Sequence, residues 1–218
     1  MSDPAKVQNS TLEFYATHAD RYCRDTLKVD MRRSREKFLK FVPEGGRILD
    51  AGCGSGRDSS AFRTTGYKVT AIDASPEMVR VARRRGIPAR VKSFHQIDDV
   101  EAFDGIWACA SLLHVPRVRI VAVLRRLKRA LRRQGVLYIT LKYGTGECVE
   151  SDGRFFSFYT PTDFGKRLQA AGLKPIRHWV SDDKRSAKPT WVTYLVQRPT
   201  SVNVGGRDAH PASSKAHR

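Results

Sequence analysis

The chain has 218 residues, of which 40% are apolar, including ten Phe, three Trp and seven Tyr; that suffices for one buried core and excludes a fibrous or wholly disordered chain. No stretch approaches the roughly 18 uncharged apolar residues of a membrane span, and the N-terminal MSDPAKVQNS lacks the basic-then-apolar order of a signal peptide, so a soluble, cytoplasmic protein without a membrane partner is expected. Forty basic residues against 22 acidic ones leave a net charge of +18, which raises nucleic acid as a partner to be weighed.

Residues 10–42 are polar, charged in both signs and free of Gly and Pro, which predicts one or two helices; the run PEGG at 43–46 ends them. RILD at 47–50 predicts a short strand entering the turn AGCGSG at 51–56, and a helix follows over 57–65. KVTAIDA at 68–74 predicts a second strand, and 76–85 a helix with Ser75 as N-cap, Pro76 in first position and Gly86 after its end. Third and fourth strands are expected at 89–94 and 103–111, the latter nearly all apolar as a strand covered on both faces should be. Ile120, Leu124, Leu127 and Leu131 recur at helical spacing within a helix expected over 118–133. A fifth strand is read at 135–143, a helix starting at a Thr cap at 162–171 and closed by Gly172, and two last strands at 175–181 and 190–198. Beyond Pro199 the composition turns to Ser, Gly, Pro, Ala and His, too poor in apolar groups to offset the entropy of ordering, so 200–218 is expected to be a disordered tail.

Strands alternating with helices imply a doubly wound parallel sheet with helices on both faces and right-handed crossovers. Ligands in such folds sit at the carboxyl ends of the strands, where the first strand-to-helix turn makes contact. Here that turn reads Asp50-x-Gly52-x-Gly54-x-Gly56, and its glycines allow a tight turn and close backbone approach. A dinucleotide fingerprint requires a further Gly or Ala, but Arg57 or Ser59 stands at that place, depending on the starting glycine. An acid at the head of the turn repels a pyrophosphate and favours a cation. Asp73 ends the second strand, where a carboxylate accepts both hydroxyls of a ribose, and a nucleoside carrying positive charge fits both acids. The alternative is that the glycines only shape a turn and Asp73 caps the following helix.

The segments ILDAGCGSG (48–56), DASPEM (73–78), FDGIW (103–107) and SLLH (111–114), in this order, resemble the class I S-adenosylmethionine-dependent methyltransferases, over about residues 10–198. Within the class the likeness is to small bacterial enzymes of the tellurite-resistance and quinone-pathway kind. The resemblance implies a Rossmann-like α/β fold, a doubly wound and mostly parallel seven-stranded sheet of order 3-2-1-4-5-7-6 with its last strand antiparallel. It also implies an N-terminal helical lid (1–46), a cofactor-binding domain (47–199) and S-adenosyl-L-methionine as cofactor. By resemblance Gly52, Gly54 and Gly56, with Ala51, make room for the methionine part of the cofactor, and Asp50 steers its amino group. Asp73 holds the ribose, with Ala74 and Ser75 also among the cofactor-binding residues, Phe94 and His95 frame the adenine, and Ala110 and Ser111 lie near the sulfonium.

Tyr15 and Tyr22 either cover the cofactor or form a plain aromatic stripe on a helix. His114 is either a general base for an acidic acceptor proton or a hydrogen-bonded structural residue; displacement at a sulfonium can run on positioning and water exclusion alone. Arg154 and Tyr159 fall where relatives build acceptor pockets, Arg154 as a carboxylate ligand or a solvated loop residue. Cys23, Cys53, Cys109 and Cys148 are far apart without a C-x-x-C pair, so free thiols and no metal are expected.

The charge concentrates in two places. Residues 80–92 carry six basic residues and 117–133 carry eight, with no acid in either, so they supply 14 of the 18 excess charges. Right-handed crossovers place the two helices on opposite faces, with several of these cations at helix C-termini away from the strand ends. A small-molecule methyl acceptor is therefore expected, the alternative being RNA (tRNA) or another polyanion.

Overall fold

The computed structural model describes residues 4–182 and 189–200; the expected tail lies, from residue 201 on, outside the described residues. Two helices, α1 (Pro4–Leu27) and α2 (Arg32–Leu39), precede strand β1 (Arg47–Ala51). Then follow α3 (Arg57–Thr64), β2 (Lys68–Asp73), α4 (Pro76–Arg84), the two-residue strand β3 (Arg90–Val91) and β4 (Phe103–Cys109). The chain continues through α5 (Ile120–Ala130), β5 (Leu131–Tyr143), the hairpin β6 (Glu147–Val149) and β7 (Phe155–Tyr159), α6 (Pro161–Ala170), β8 (Lys174–Asp182) and β9 (Pro189–Gln197).

The main sheet runs β3-β2-β1-β4-β5-β9-β8, with β1 to β5 parallel, β9 antiparallel to β5 and β8 antiparallel to β9. This is the expected seven-strand order with one reversed strand. The added hairpin was not legible as strands. Its strand β7 pairs with β5 at Lys142 and Tyr143, beyond Thr140, where β4 stops. It thus continues the edge of β5 past the end of β4.

Local chemistry explains most boundaries. Ser75 caps α4 by accepting the Met78 N–H at 3.3 Å, and Gly86 leaves it with φ +77. Thr160, rather than Thr162, caps α6, accepting the Asp163 N–H at 3.2 Å. The third strand is shorter than expected, because Phe94–Gln96 forms a 3-10 turn. The helix expected to reach residue 133 ends at Ala130 instead. The carbonyls of Arg129 and Ala130 accept the N–H groups of Glu101 and Ala102, each at 2.9 Å, and Leu131 pairs with Phe103 at the head of β5. Tertiary pairing there overrides helical propensity, as it commonly does at an element's end.

Two apolar layers sandwich the sheet. Phe38 of α2 and Phe62 of α3 pack with Trp107 and Tyr138 on one face, where the two larger rings stack 3.9 Å apart. Leu124 and Leu127 of α5 and Phe164 of α6 pack on the other. Neighbouring residues of β2 divide the faces: Ala71 meets Val79 and Ala82 of α4, whereas Ile72 joins the α5 layer. Hence α4 and α5 lie on opposite faces, and the two basic segments do not merge.

Candidate functional site

The glycine turn leaves β1 at the carboxyl end of the sheet. Ile72 O pins it to β2 by accepting the N–H groups of Gly52 and Cys53, both at 2.9 Å. All three glycines are left-handed, yet they serve different ends. A Cβ on Gly52 would lie 2.3 Å from that of Ser111, and one on Gly56 2.8 Å from Ile87 Cγ1, whereas one on Gly54 would meet nothing within 4 Å. Gly52 and Gly56 therefore let the turn pack against the end of β4 and the loop after α4. Gly54 alone faces open space, so the turn gives ligand room at one glycine and not at three.

Asp50 and Asp73 end adjacent strands. Asp73 does not cap α4; its two oxygens accept the N–H groups of Gly54 and Ser75, each at 2.9 Å, and the Ala74 N–H adds to them. Asp50 is 3% exposed and accepts the Ser59 hydroxyl at 2.6 Å. Burial, then the nearby Asp58 carboxylate, raises its pKa to about 7. Asp58 itself is bound by Arg35, Arg57 and the Trp107 indole N–H at 2.7 to 3.0 Å, which ties α2 and α3 to β4.

A cavity of about 960 Å³ opens above these strand ends, within the range of small-molecule sites. Tyr15, Tyr22, Asp50, Gly52 and Gly54 line it, as do Asp73, Ala74, Phe94, His95, Ala110 and Ser111. Ala51, Gly56 and Ser75 do not reach it. The Ala51 side chain is in the core and its carbonyl accepts the Ser111 hydroxyl at 2.7 Å; Gly56 is covered by Ile87, and the Ser75 hydroxyl is spent on the cap. Ala110 has φ +51, a conformation costly for a residue with a side chain. Its N–H donates to Thr140 Oγ1 at 2.7 Å, so β5 supports this bend at the cavity edge.

Helix α1 lies across the opening. Thr11 Oγ1 accepts the Phe155 N–H at 2.9 Å, Cys23 touches Met78 of α4 at 3.5 Å, and Tyr15 bonds His114 at 3.0 Å. His114 Nδ1 is 2.7 Å from the Phe155 carbonyl, which accepts its proton; Nε2 is then bare and accepts the Tyr15 hydroxyl. Burial lowers the His114 pKa to about 4. A neutral imidazole with both nitrogens occupied is a docking residue and not a poised base, so the structure favours the structural reading of His114.

A smaller chamber of about 160 Å³ adjoins the cavity, and the two share Tyr15, Tyr22, Ala110, His114 and Trp191. Arg154 lines it, but is held by Asp152 at 2.6 and 2.9 Å and stacked on Phe14 and Phe156, 4.6 and 5.2 Å from the ring centres. Tyr159 does not line either space. It is fully buried beside Phe164 under Arg117. The expectation of Tyr159 as an acceptor residue is thus corrected. Lys142 and Trp191, which line the chamber, were missed: the β5–β9 pairing brings them together across 49 residues of sequence. Among the described residues no cluster of His, Cys, Asp and Glu could hold a metal, and no helix is long and apolar enough to cross a membrane.

Residues 48–135 match a family model described as a methyltransferase domain. A ubiquinone biosynthesis O-methyltransferase of Xanthomonas oryzae pv. oryzae is 36% identical over 104 residues, covering 44% of this chain and 43% of the relative. A namesake from Xanthomonas axonopodis pv. citri is 34% identical over 109 residues, 46% of this chain and 45% of the relative. The chain thus spans under half the length of the curated relatives it matches. Among solved structures, the Burkholderia thailandensis 1,6-didemethyltoxoflavin-N1-methyltransferase, with bound 1,6-didemethyltoxoflavin and S-adenosylhomocysteine, superposes with a TM-score of 0.77 at 22% identity over 92% of both chains. A Leishmania major S-adenosylmethionine-dependent methyltransferase gives 0.71 at 18% identity, over 89% of this chain and 85% of the other.

Proposed function

We propose, from the match of residues 48–135 to the methyltransferase-domain model and the fold that 92% of the chain shares with a solved methyltransferase, that this protein methylates a small molecule using S-adenosyl-L-methionine. One observation carries the reading: the open face of Gly54, flanked by Asp50 and Asp73, fronts a cavity of about 960 Å³ roofed by tyrosines. These residues fit the cofactor. Asp50 suits its ammonium group, the Asp73 carboxylate its ribose hydroxyls, and Phe94 a face of its adenine. Bound there, S-adenosylmethionine supplies a methyl group on a sulfonium that is already a good leaving group.

The remaining work falls to the protein and consists of positioning. Ala110 and Ser111 set the floor at the end of β4. Helix α1 serves as a lid, and its Tyr15 and Tyr22 exclude water while leaving the chamber at β5 for the acceptor. Relatives named for ubiquinone precursors and toxoflavin chemistry support a small acceptor. Calorimetry is expected to show binding of S-adenosylmethionine and S-adenosylhomocysteine but not of NAD, and labelled methyl transfer should appear in a metabolite pool rather than in total RNA. Binding of NAD alone would overturn the proposal.

A further inference from the structure

The chamber beside β5 holds the information about the acceptor, an assignment that rests on the proposed methyltransferase activity. Its walls are Tyr15, Leu113, Phe156 and Trp191. Its volume of about 160 Å³ is close to the roughly 150 Å³ of an apolar cavity that takes one benzene molecule. Ala110 and His114 belong to both spaces, so a ring held here borders the place proposed for the methyl group.

Three charged side chains bear on the chamber. Arg154 is already neutralised by Asp152 and sandwiched between Phe14 and Phe156. Glu150 is exposed at the rim. Lys142 is different: it is half-buried, its ammonium lies 5.1 Å from the Trp191 ring centre and 5.8 Å from that of Phe156, and no described carboxylate is within ion-pair distance of it. A cation held over aromatic faces and without an anion is one that a ligand's anion can complete. The Tyr15 hydroxyl goes to His114, and the Tyr22 hydroxyl is hydrogen-bonded to Tyr15.

We infer that Lys142 recognises the acceptor, and that the acceptor is a single aromatic ring bearing an ionised hydroxyl group. The hydroxyl proton leaves to solvent, the phenolate oxygen forms the new bond to the methyl carbon, and the carbon–sulfur bond breaks with its electron pair remaining on sulfur. Lys142 holds the oxygen in its charged, nucleophilic form. This removes the need for a general base, which His114 with both nitrogens engaged is not placed to provide.

The test is binding of 4-nitrophenol, whose ionised form absorbs in the visible, to the full chain saturated with S-adenosylhomocysteine, against 4-nitroanisole and benzoate. The ionisation midpoint of bound 4-nitrophenol is expected to fall by about one pH unit, a tenfold preference for the phenolate or about 1.4 kcal/mol. Lys142→Met should abolish that shift with unchanged affinity for S-adenosylhomocysteine, and Lys142→Arg should retain it. The inference is overturned if Lys142→Met keeps the shift, if benzoate is bound in preference to the phenolate, or if the loaded protein ignores 4-nitrophenol. Failure of the unaltered protein to bind S-adenosylhomocysteine would overturn the methyltransferase reading, and the assignment of Lys142 with it.

Discussion

Asp50 and Asp73 stand one strand apart, and their surroundings ask different things of a ligand. Asp73 already accepts backbone N–H groups from Ser75, Gly54 and Ala74, which offset part of the burial that raises its pKa. Asp50 has only the Ser59 hydroxyl, and burial holds its proton on up to about pH 7. A cationic ligand beside it favours the carboxylate, so binding releases that proton. Affinity for S-adenosylhomocysteine is therefore expected to weaken as pH falls below 7, approaching tenfold per pH unit. Asp50→Asn should flatten this dependence, and an unflattened profile would move the titration to another group. At Gly54 the backbone sits at φ +52 with open space beyond. Gly54→Val should lower the thermal transition, because a β-branched residue is strained at this positive φ, and should lower S-adenosylhomocysteine affinity at least about tenfold, because the branched side chain enters the open space beyond the turn. Unchanged affinity would make the turn purely structural.

At the scale of elements, α1 packs on α4 through Ala19 and Cys23, and its described bond nearest the strand ends is Tyr15 to His114. Removing that hydroxyl leaves the buried Nε2 of His114 unpaired, at a cost of about 1–2 kcal/mol. Tyr15→Phe is thus expected to weaken S-adenosylhomocysteine binding roughly tenfold and to speed hydrogen exchange in α1, with β1, β4 and β5 still protected. Equal exchange in both proteins would show that this bond does not hold the helix. The same pair gives the seating of α1 an acid limit. Folded His114 stays neutral down to about pH 4, whereas its free value is 6.5. Between those values the unfolded form binds more protons, so the stability the imidazole contributes is complete above 6.5 and is lost as pH falls toward 4.

For the molecule as a whole, the +18 charge is divided by topology. The basic residues of α4 and α5 sit on opposite faces, and several side chains in and beside the two segments hold the fold together: Arg83 bonds the Ala89 carbonyl, Arg126 that of Ile97, and Arg132 the Asp104 carboxylate. These cations are not free for a polyanion. A fair test of the surface charge therefore changes Arg84, Arg85, Arg129 and Arg133, which have no described hydrogen bond or ion pair through their side chains, and leaves Arg126 and Arg132 alone. Their combined replacement by Gln is expected to alter turnover by less than about twofold, with little dependence on salt, since each phosphate contact would add close to one unit of slope to log affinity against log salt. A steep salt slope lost in the variant would restore the polyanion reading.

The alternation of strands and helices, the cap at Ser75, and the two acids ending β1 and β2 were legible in the sequence, because they depend on local chemistry and on the period of apolar residues. The glycine turn was legible as a turn, but not the division of labour among its glycines, which depends on Ser111 and Ile87 arriving from elsewhere. Likewise no local signal separated the two readings of His114, since its partners lie 99 and 41 residues away. The end of α5, the burial of Tyr159 and the meeting of Lys142 with Trp191 were set by strand pairing and by which face of a strand meets the core. The fold class and the turn with its two acids could be read from the amino-acid order, because neighbouring residues suffice to shape them. Which side chains share the chamber beside β5 could not, because pairing between distant strands, and not spacing along the chain, brings them together.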